Sequence, residues 1–382
     1  MAILSARESE VLALIRRYGA LSRRELHERM GVRPNTVGDL AADMIERGLL
    51  RECEGETTGP GRPRQPLEID GDRRRVIGLA LEPGRVSACE LNLHGRRIGG
   101  RLERSTRTSQ DVVVAACTMI RAMRTERDLA IGISTTGFVD PESRSILTSS
   151  AMFRQLQTSL DPIYEADGEC PVLLENDMHA MAAYWSLSQD SEEDEDVLLV
   201  DLRDGAIGAT LLVDGKPNRG CVIGGNELGH MRFFAETEVC YCGQTGCLER
   251  ICSSDFIQRV TGDAMTDLDS RLATFNAKDE AGMLVLRHLA AGIGNVINFV
   301  RPNRVVLTGR LTEHLAFTNQ LLESVRQGLL APLVDRVRID IWDKPMVSFA
   351  EMGAWLALAA IYRGGYEGIN RPVIEKAVAR PE

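Results

Sequence analysis

The sequence contains no apolar run long enough to span a bilayer. Its first residues, Met1-Ala-Ile-Leu-Ser-Ala-Arg-Glu8, lack the basic-then-apolar pattern of a secretory signal. These absences argue against insertion and export, and the expected location is the cytoplasm. Net positive charge is also missing. The formal charge of −10 argues against a chain that coats nucleic acid. Lysine is scarce, with Lys216, Lys278, Lys344 and Lys376 the only four. The nine Cys are too few for a disulfide scaffold in a chain of 382 residues, so they are expected to stay reduced or to bind metal.

The charge is uneven. Residues 1–75 carry 14 Arg against 13 Asp and Glu, while the remainder carries 31 basic and 42 acidic residues. A near-neutral head on an acidic body fits a small DNA-reading module attached to a larger sensing part. The length implies two or three domains, and 44% hydrophobic content supplies a real core.

One stretch, residues 224–250, carries the most chemistry. Cys240, Cys242 and Cys247 fall within eight residues, and His230 lies ten positions before the first. Thiolates and imidazole are preferred zinc ligands, and four of them close a tetrahedral structural site. Gly243 and Gly246 let the chain fold back so that Cys247 can face the same ion. The alternative is three free cysteines in a loop. Glu227 and Glu249 flank the cluster, and a zinc loop would fix both.

The head reads as a winged helix-turn-helix. Apolar spacing predicts a helix from about Ser5 to Tyr18, ended by Gly19. Ser22 and Glu25 form a capping box for a short second helix ended by Gly31. Pro34 opens a third helix to about Arg47, and a ribbon begins near Leu49. Arg33, Asn35, Thr36 and Asp39, at the start of the third helix, suit base edges and phosphates in a major groove. A plain three-helix bundle that binds protein is the competing reading. Gly61-Arg-Pro-Arg64 suits a hook that lays Arg62 and Arg64 into a narrow minor groove, or a solvated linker.

From residue 76 onward the pattern is α/β. Strands are expected at 76–81, 85–91, 97–105 and 129–134, with a helix over 109–126. The order strand-strand-strand-helix-strand then recurs: strands at 197–202, 208–213 and near Lys216, a helix near 279–300, a strand at 304–308, a helix near 312–328, a strand at 337–341 and a last helix near 351–363.

Glu227-x-Gly-His230 followed by Cys240-x-Cys-Gly-x-x-Gly-Cys247-x-Glu249 resembles the signature of the ROK family of repressors, open reading frames and sugar kinases. The resemblance covers about residues 5–365. It implies a two-lobed, ribonuclease-H-like, actin-type body behind the winged helix. Residues 1–70 are then the head with its linker, 71–190 the first lobe and 191–382 the second lobe with the zinc loop. It also implies that Asn176, Asp177, Glu227, His230 and Glu249 hold a sugar, with Gly137-Phe-Val-Asp140 beside it. In the family's kinases the residue matching Asp177 takes the proton of the attacking hydroxyl, as a carboxylate can. His179 stands where the family commonly has Asn.

The family's phosphate motifs are eroded. The Asp-x-Gly-Gly-Thr turn is Leu79-Ala-Leu-Glu-Pro-Gly-Arg85 here. Pro83 offers no N–H, and Glu82 would repel phosphate. The second phosphate loop is Arg203-Asp-Gly-Ala-Ile-Gly208, and the Gly-Gly near the adenosine is Thr308-Gly-Arg310. The expected protein is a non-catalytic, sugar-responsive regulator, by family habit a repressor. Its expected partners are operator DNA, a sugar or phosphosugar, and a second copy of itself as a homodimer or higher oligomer. An ATP-dependent sugar kinase with an appended head is the alternative, and a docking surface with no small ligand is a third reading.

Overall fold

A computed structural model describes residues 3–53, 65–149, 157–166, 170–188, 195–342 and 347–364. Arg62 and Arg64 lie outside these, as does most of the acidic run Glu192–Asp196.

The head is α1 (Ala6–Tyr18), α2 (Arg23–Met30), α3 (Pro34–Glu46), β1 (Leu50–Glu52) and β2 (Leu67–Ile69). Local chemistry sets each boundary. Ser5 with Glu8, and Ser22 with Glu25, close complete capping boxes. Gly31 ends α2 in the left-handed conformation, and Pro34 occupies the first turn of α3. Leu12, Leu26, Val37 and Met44 meet in the head's core. β1 and β2 pair antiparallel, and Leu21 bridges to Leu67 on the other side of β2. This is a winged helix-turn-helix. Arg33, Asn35 and Asp39 are exposed along the start of α3, and Thr36 is half-buried.

The first lobe follows: β3 (Arg75–Glu82), β4 (Arg85–Asn92), β5 (Arg97–Ser105), α4 (Ser109–Met123), β6 (Asp128–Thr135), β7 (Phe138–Asp140), β8 (Ser145–Thr148), β9 (Thr158–Ser159), α5 (Asp161–Glu165), β10 (Val172–Asn176) and α6 (Asp177–Ser188). The second contains β11 (Val197–Arg203), β12 (Ala206–Val213), β13 (Lys216–Pro217), α7 (Leu248–Ile251), α8 (Ser254–Thr261), α9 (Leu268–Ala273), α10 (Glu280–Val300), β14 (Arg304–Thr308), α11 (Leu315–Gln327), α12 (Ala331–Val334), β15 (Arg338–Ile341) and finally α13 (Phe349–Arg363).

The two large sheets are built alike. The first runs β10-β6-β3-β4-β5 and the second β15-β14-β11-β12-β13. In each, three antiparallel strands lead to two parallel ones. The duplication implied by the family resemblance is therefore present, as an actin-type pair of lobes. β7, β8 and β9 form a small separate sheet.

Both faces of the first sheet are covered, so its strands alternate between two apolar layers. Ile77, Leu79 and Leu81 face the α4 side, while Val76 and Ala80 face the layer that holds α6 and α13. This layer requires a correction to the expected lobe limits. α13 does not stay with residues 191–342. It returns to pack on β3, β4, β6 and α6, and it touches α1 of the head. Gly78 and Gly132 make the return possible. A Cβ on Gly78 would sit 2.0 Å from the Ala350 carbonyl oxygen, and one on Gly132 would sit 1.9 Å from that of Gly353. Head, α6 and α13 thus share one continuous core.

A second correction concerns α10. It is long and apolar enough, by length and composition, to cross a membrane. Here Val285, Leu289, Ile293 and Ile297 bury its apolar face in the second lobe's core.

Candidate functional site

Between the lobes, the end of β10 comes near the end of β11, and Asp177, Asp201, Arg203 and Glu227 line a cleft there. β10 delivers Asn176 and Asp177 there, at the entry to α6. Asn176 is only 2% exposed, and its amide makes two bonds within the chain. Nδ2 donates to the Gly137 carbonyl at 2.9 Å, and Oδ1 accepts from the Met178 N–H at 2.9 Å. Asn176 therefore braces Gly137 against the start of α6. Asp177 keeps part of its surface open to the cleft while the two lobes surround it. Burial pushes its carboxyl up to about 7, against the pull of the Met178 N–H and of Arg203.

Opposite stands the segment that precedes the cysteine loop. Glu227 adopts a left-handed backbone conformation, with φ 44° and ψ 37°. A non-glycine residue there is uncommon, and this turn aims the chain into the short 3₁₀ helix Leu228–His230. Glu227 keeps 36% of its side-chain surface open. Enclosure by the cleft and the neighbouring Glu249 still push it up to about 7. His230 is shared between two faces. Its Nε2 lies 3.5 Å from Glu227, and its Nδ1 lies 3.3 Å from Glu249 and 3.6 Å from the Cys240 sulfur.

His230, Cys240, Cys242 and Cys247 bring their donor atoms within 4.8 Å of one another. The fit to a tetrahedral ion can be tested on two edges. Zinc–sulfur bonds of about 2.3 Å and zinc–nitrogen bonds of about 2.0–2.1 Å give tetrahedral edges of roughly 3.8 Å between sulfurs and 3.6 Å between sulfur and nitrogen. The Cys242–Cys247 sulfurs are 3.7 Å apart, and Cys240 sulfur is 3.6 Å from His230 Nδ1. The loop folds back through Gly243 and Gly246, whose φ angles are 88° and 74°. A Cβ on Gly246 would sit 2.4 Å from the Phe233 carbonyl oxygen. The cluster could hold one metal ion. Burial holds the Cys240 and Cys247 thiols above their usual range, so cation charge is what would draw out their thiolates. Glu249, 3% exposed, rests against the same cluster, with Oε1 3.2 Å from the Cys240 sulfur.

Ion pairs occupy the two turns that correspond to the family's first and second phosphate motifs. The β3–β4 turn is Pro83-Gly84, and Glu82 is buried beside it. The Glu82 carboxylate accepts from Arg85 at 2.6 Å and from the Ser87 hydroxyl at 3.2 Å. In the second lobe Arg203 lies 2.7 Å from Asp201 and stacks 4.5 Å over the Phe349 ring. The sequence did not announce these ion pairs. Sequence reasoning also missed the buried Glu175, which holds Arg219 and lies 3.0 Å from His179 Nδ1. No local signal marks that trio, because Arg219 reaches it from beyond β13.

A two-lobed, duplicated α/β body with a cleft, a cysteine loop and a winged-helix head defines the class. The ROK family profile matches residues 93–345. The chain belongs to the ROK family. It is 26% identical over 332 residues to the DNA-binding transcriptional dual regulator NagC of Escherichia coli, covering 79% of this chain and 80% of that protein. It is 23% identical to the xylose repressor of Caldicellulosiruptor bescii, covering 80% and 83%. A 156-residue stretch is 30% identical to N-acetylmannosamine kinase of Vibrio cholerae, covering 40% of this chain and 54% of the kinase. Among solved structures, a ROK family transcriptional regulator described as a homolog of E. coli MLC protein superposes with TM-score 0.78 at 22% identity, over 94% of this chain and 96% of that one. A ROK family glucokinase from Streptomyces griseus superposes with TM-score 0.57 at 19% identity, over 76% and 99%. The first match covers too much of the chain to leave out the head, and the second covers about three quarters of it.

Proposed function

We propose that this chain is a sugar-responsive transcriptional regulator, a repressor by the habit of its relatives, and not an enzyme. One observation supports the reading: Asp177, Glu227, His230 and Glu249 come together and gather carboxylates and an imidazole that suit vicinal hydroxyls. At the positions that correspond to the family's phosphate motifs stand two ion pairs instead, Glu82 with Arg85 and Arg203 with Asp201. Phosphoryl transfer depends on positioning and charge neutralisation of the phosphoryl group, and guanidinium groups already paired with carboxylates are poor partners for it.

Zinc at His230, Cys240, Cys242 and Cys247 would brace the loop that carries Glu227 and Glu249 on its flanks. Its chemistry there is structural, since four protein donors leave no open position. Operator DNA would meet Arg33, Asn35 and Thr36 in the major groove, with Arg62 and Arg64 in the adjoining minor groove. A homodimer would present two heads to a two-fold operator. The preserved Asp177 keeps the kinase reading in play. A thermal-shift series with glucose, xylose, N-acetylglucosamine, their 6-phosphates and ATP separates the two, because a ligand stabilises what it binds. Stabilisation by a sugar or phosphosugar, none by magnesium-ATP and no turnover is the expected result. ATP-dependent phosphorylation abolished by Asp177→Ala would overturn it.

A further inference from the structure

Two helices run from the cleft to the head, and they end on one residue. α6 begins with Asp177 in the cleft and, at about 1.5 Å per residue, carries its far end roughly 18 Å away. There the Leu187 carbonyl accepts a hydrogen bond from Arg16 Nη2 of α1 at 2.9 Å. α13 begins with Phe349, stacked under Arg203 of β11. Farther along α13, the Arg16 guanidinium lies 5.5 Å over the Trp355 ring and 4.9 Å over that of Tyr362.

The two helices are held differently. α13 is clamped to the first sheet, since Gly78 and Gly132 leave no gap to Ala350 and Gly353. The Tyr362 hydroxyl donates to the Leu93 carbonyl at 2.6 Å and ties the other end to the same lobe. α6 packs on the second lobe as well. Met178 fills the space over Gly208 of β12, where a Cβ would come within 2.3 Å of its sulfur. α13 meets that lobe only through side chains near its two ends, Phe349 under Arg203 and Arg363 at the Gly215 carbonyl, while its body packs on β3, β4 and β6. A ligand that draws the lobes together would load α6 at both Asp177 and Met178, while the body of α13 stays with the sheet.

Resting on the regulator reading above, we infer that Arg16 is the positioning residue that transmits occupancy of the cleft to the DNA-binding head. Its stack on α13 is the fixed reference, and its bond to Leu187 reads the displacement of α6. A helix that both sites bias is the physical requirement for coupling. The rest of the head is moored elsewhere: Arg74 Nε donates to the Arg47 carbonyl at 2.6 Å, and Arg74 Nη1 donates to that of Glu126 at 2.8 Å. Loss of Arg16 therefore leaves the head attached but deaf.

The experiment uses the full chain, a duplex selected by it from random DNA, and whichever of glucose, xylose and N-acetylglucosamine raises its melting temperature. Operator Kd is read by fluorescence anisotropy with and without saturating sugar. In the wild type the ratio is expected to be about 5–150-fold. In Arg16→Ala the sugar-induced melting shift persists, operator affinity without sugar stays within about threefold, and the ratio falls to about twofold or less. A responsive wild type with an equally responsive Arg16→Ala overturns the relay alone. A wild type indifferent to every sugar overturns the regulator reading and the relay with it. Hydrogen exchange on the wild type decides the matter if Arg16→Ala does not fold. The sugar must change protection at residues 13–18 and 184–188, and unchanged protection there beside a changed operator affinity refutes the relay.

Discussion

Replacing Asp177 by Asn is expected to stabilise the protein while weakening sugar binding. The carboxyl ordinarily titrates at 3.8, and in the folded cleft burial pushes it up to about 7. Folding therefore takes up a proton between those values. Stability falls as pH rises through this window and is level above it. A shift of about three units at 1.36 kcal/mol each sets a ceiling of roughly 4 kcal/mol above neutral pH. Asp177 is partly open to the cleft, and Arg203 lies near it, so solvent and charge reduce this to about 1–2 kcal/mol. An amide has no charge to desolvate and still accepts the Met178 N–H. The apparent melting temperature of Asp177→Asn should exceed that of the wild type by about 2–6 °C at about pH 8. The advantage should shrink to less than half at about pH 5, where the folded carboxyl is protonated. Differential scanning calorimetry of both proteins at the two pH values reads it. Acid effects on the cysteine cluster cancel in the difference, as the site is unchanged between them. A variant less stable than the wild type at about pH 8, or an advantage independent of pH, refutes the assignment of Asp177 as a destabilised functional carboxylate.

Metal analysis of freshly purified, unchelated protein should find about one zinc per chain, and Cys242→Ser should lose it and weaken sugar binding together; protein free of zinc would remove the structural-site assignment. Asn35→Ala and Thr36→Ala should each lose about 1–3 kcal/mol of discrimination between selected operator and random duplex, measured by competition binding. Retention of full operator affinity by a chain lacking residues 1–70 would remove DNA reading from the head. A coupled assay with magnesium-ATP should register no phosphorylation of any sugar that binds, and Glu82→Gly with Arg85→Thr should not restore it while Arg203 remains; turnover at about 1–100 per second in the wild type would promote the kinase reading.

What the sequence determined by itself was local. Ser22 and Glu25 are three residues apart, so their capping box is written in the chain and appears as expected. Strand Arg97–Ser105 and strand Arg304–Thr308 fall where alternation and apolar runs place them. The cysteine cluster was legible because three donors lie within one loop, and only His230 had to be brought from farther away. Tertiary structure decided the rest. α13 is buried on almost every side, so it has no polar stripe to say which sheet it covers, and only packing at Gly78 and Gly132 returns it to the first lobe. Asn176 reads as a ligand residue from its strand-end position, and no spacing announces that it also bonds the carbonyl of Gly137, 39 residues earlier. Arg16 has no motif, because its partner Leu187 lies 171 residues away. Contacts of that separation come from the global arrangement of lobes, and no periodicity or spacing within a window of sequence encodes them.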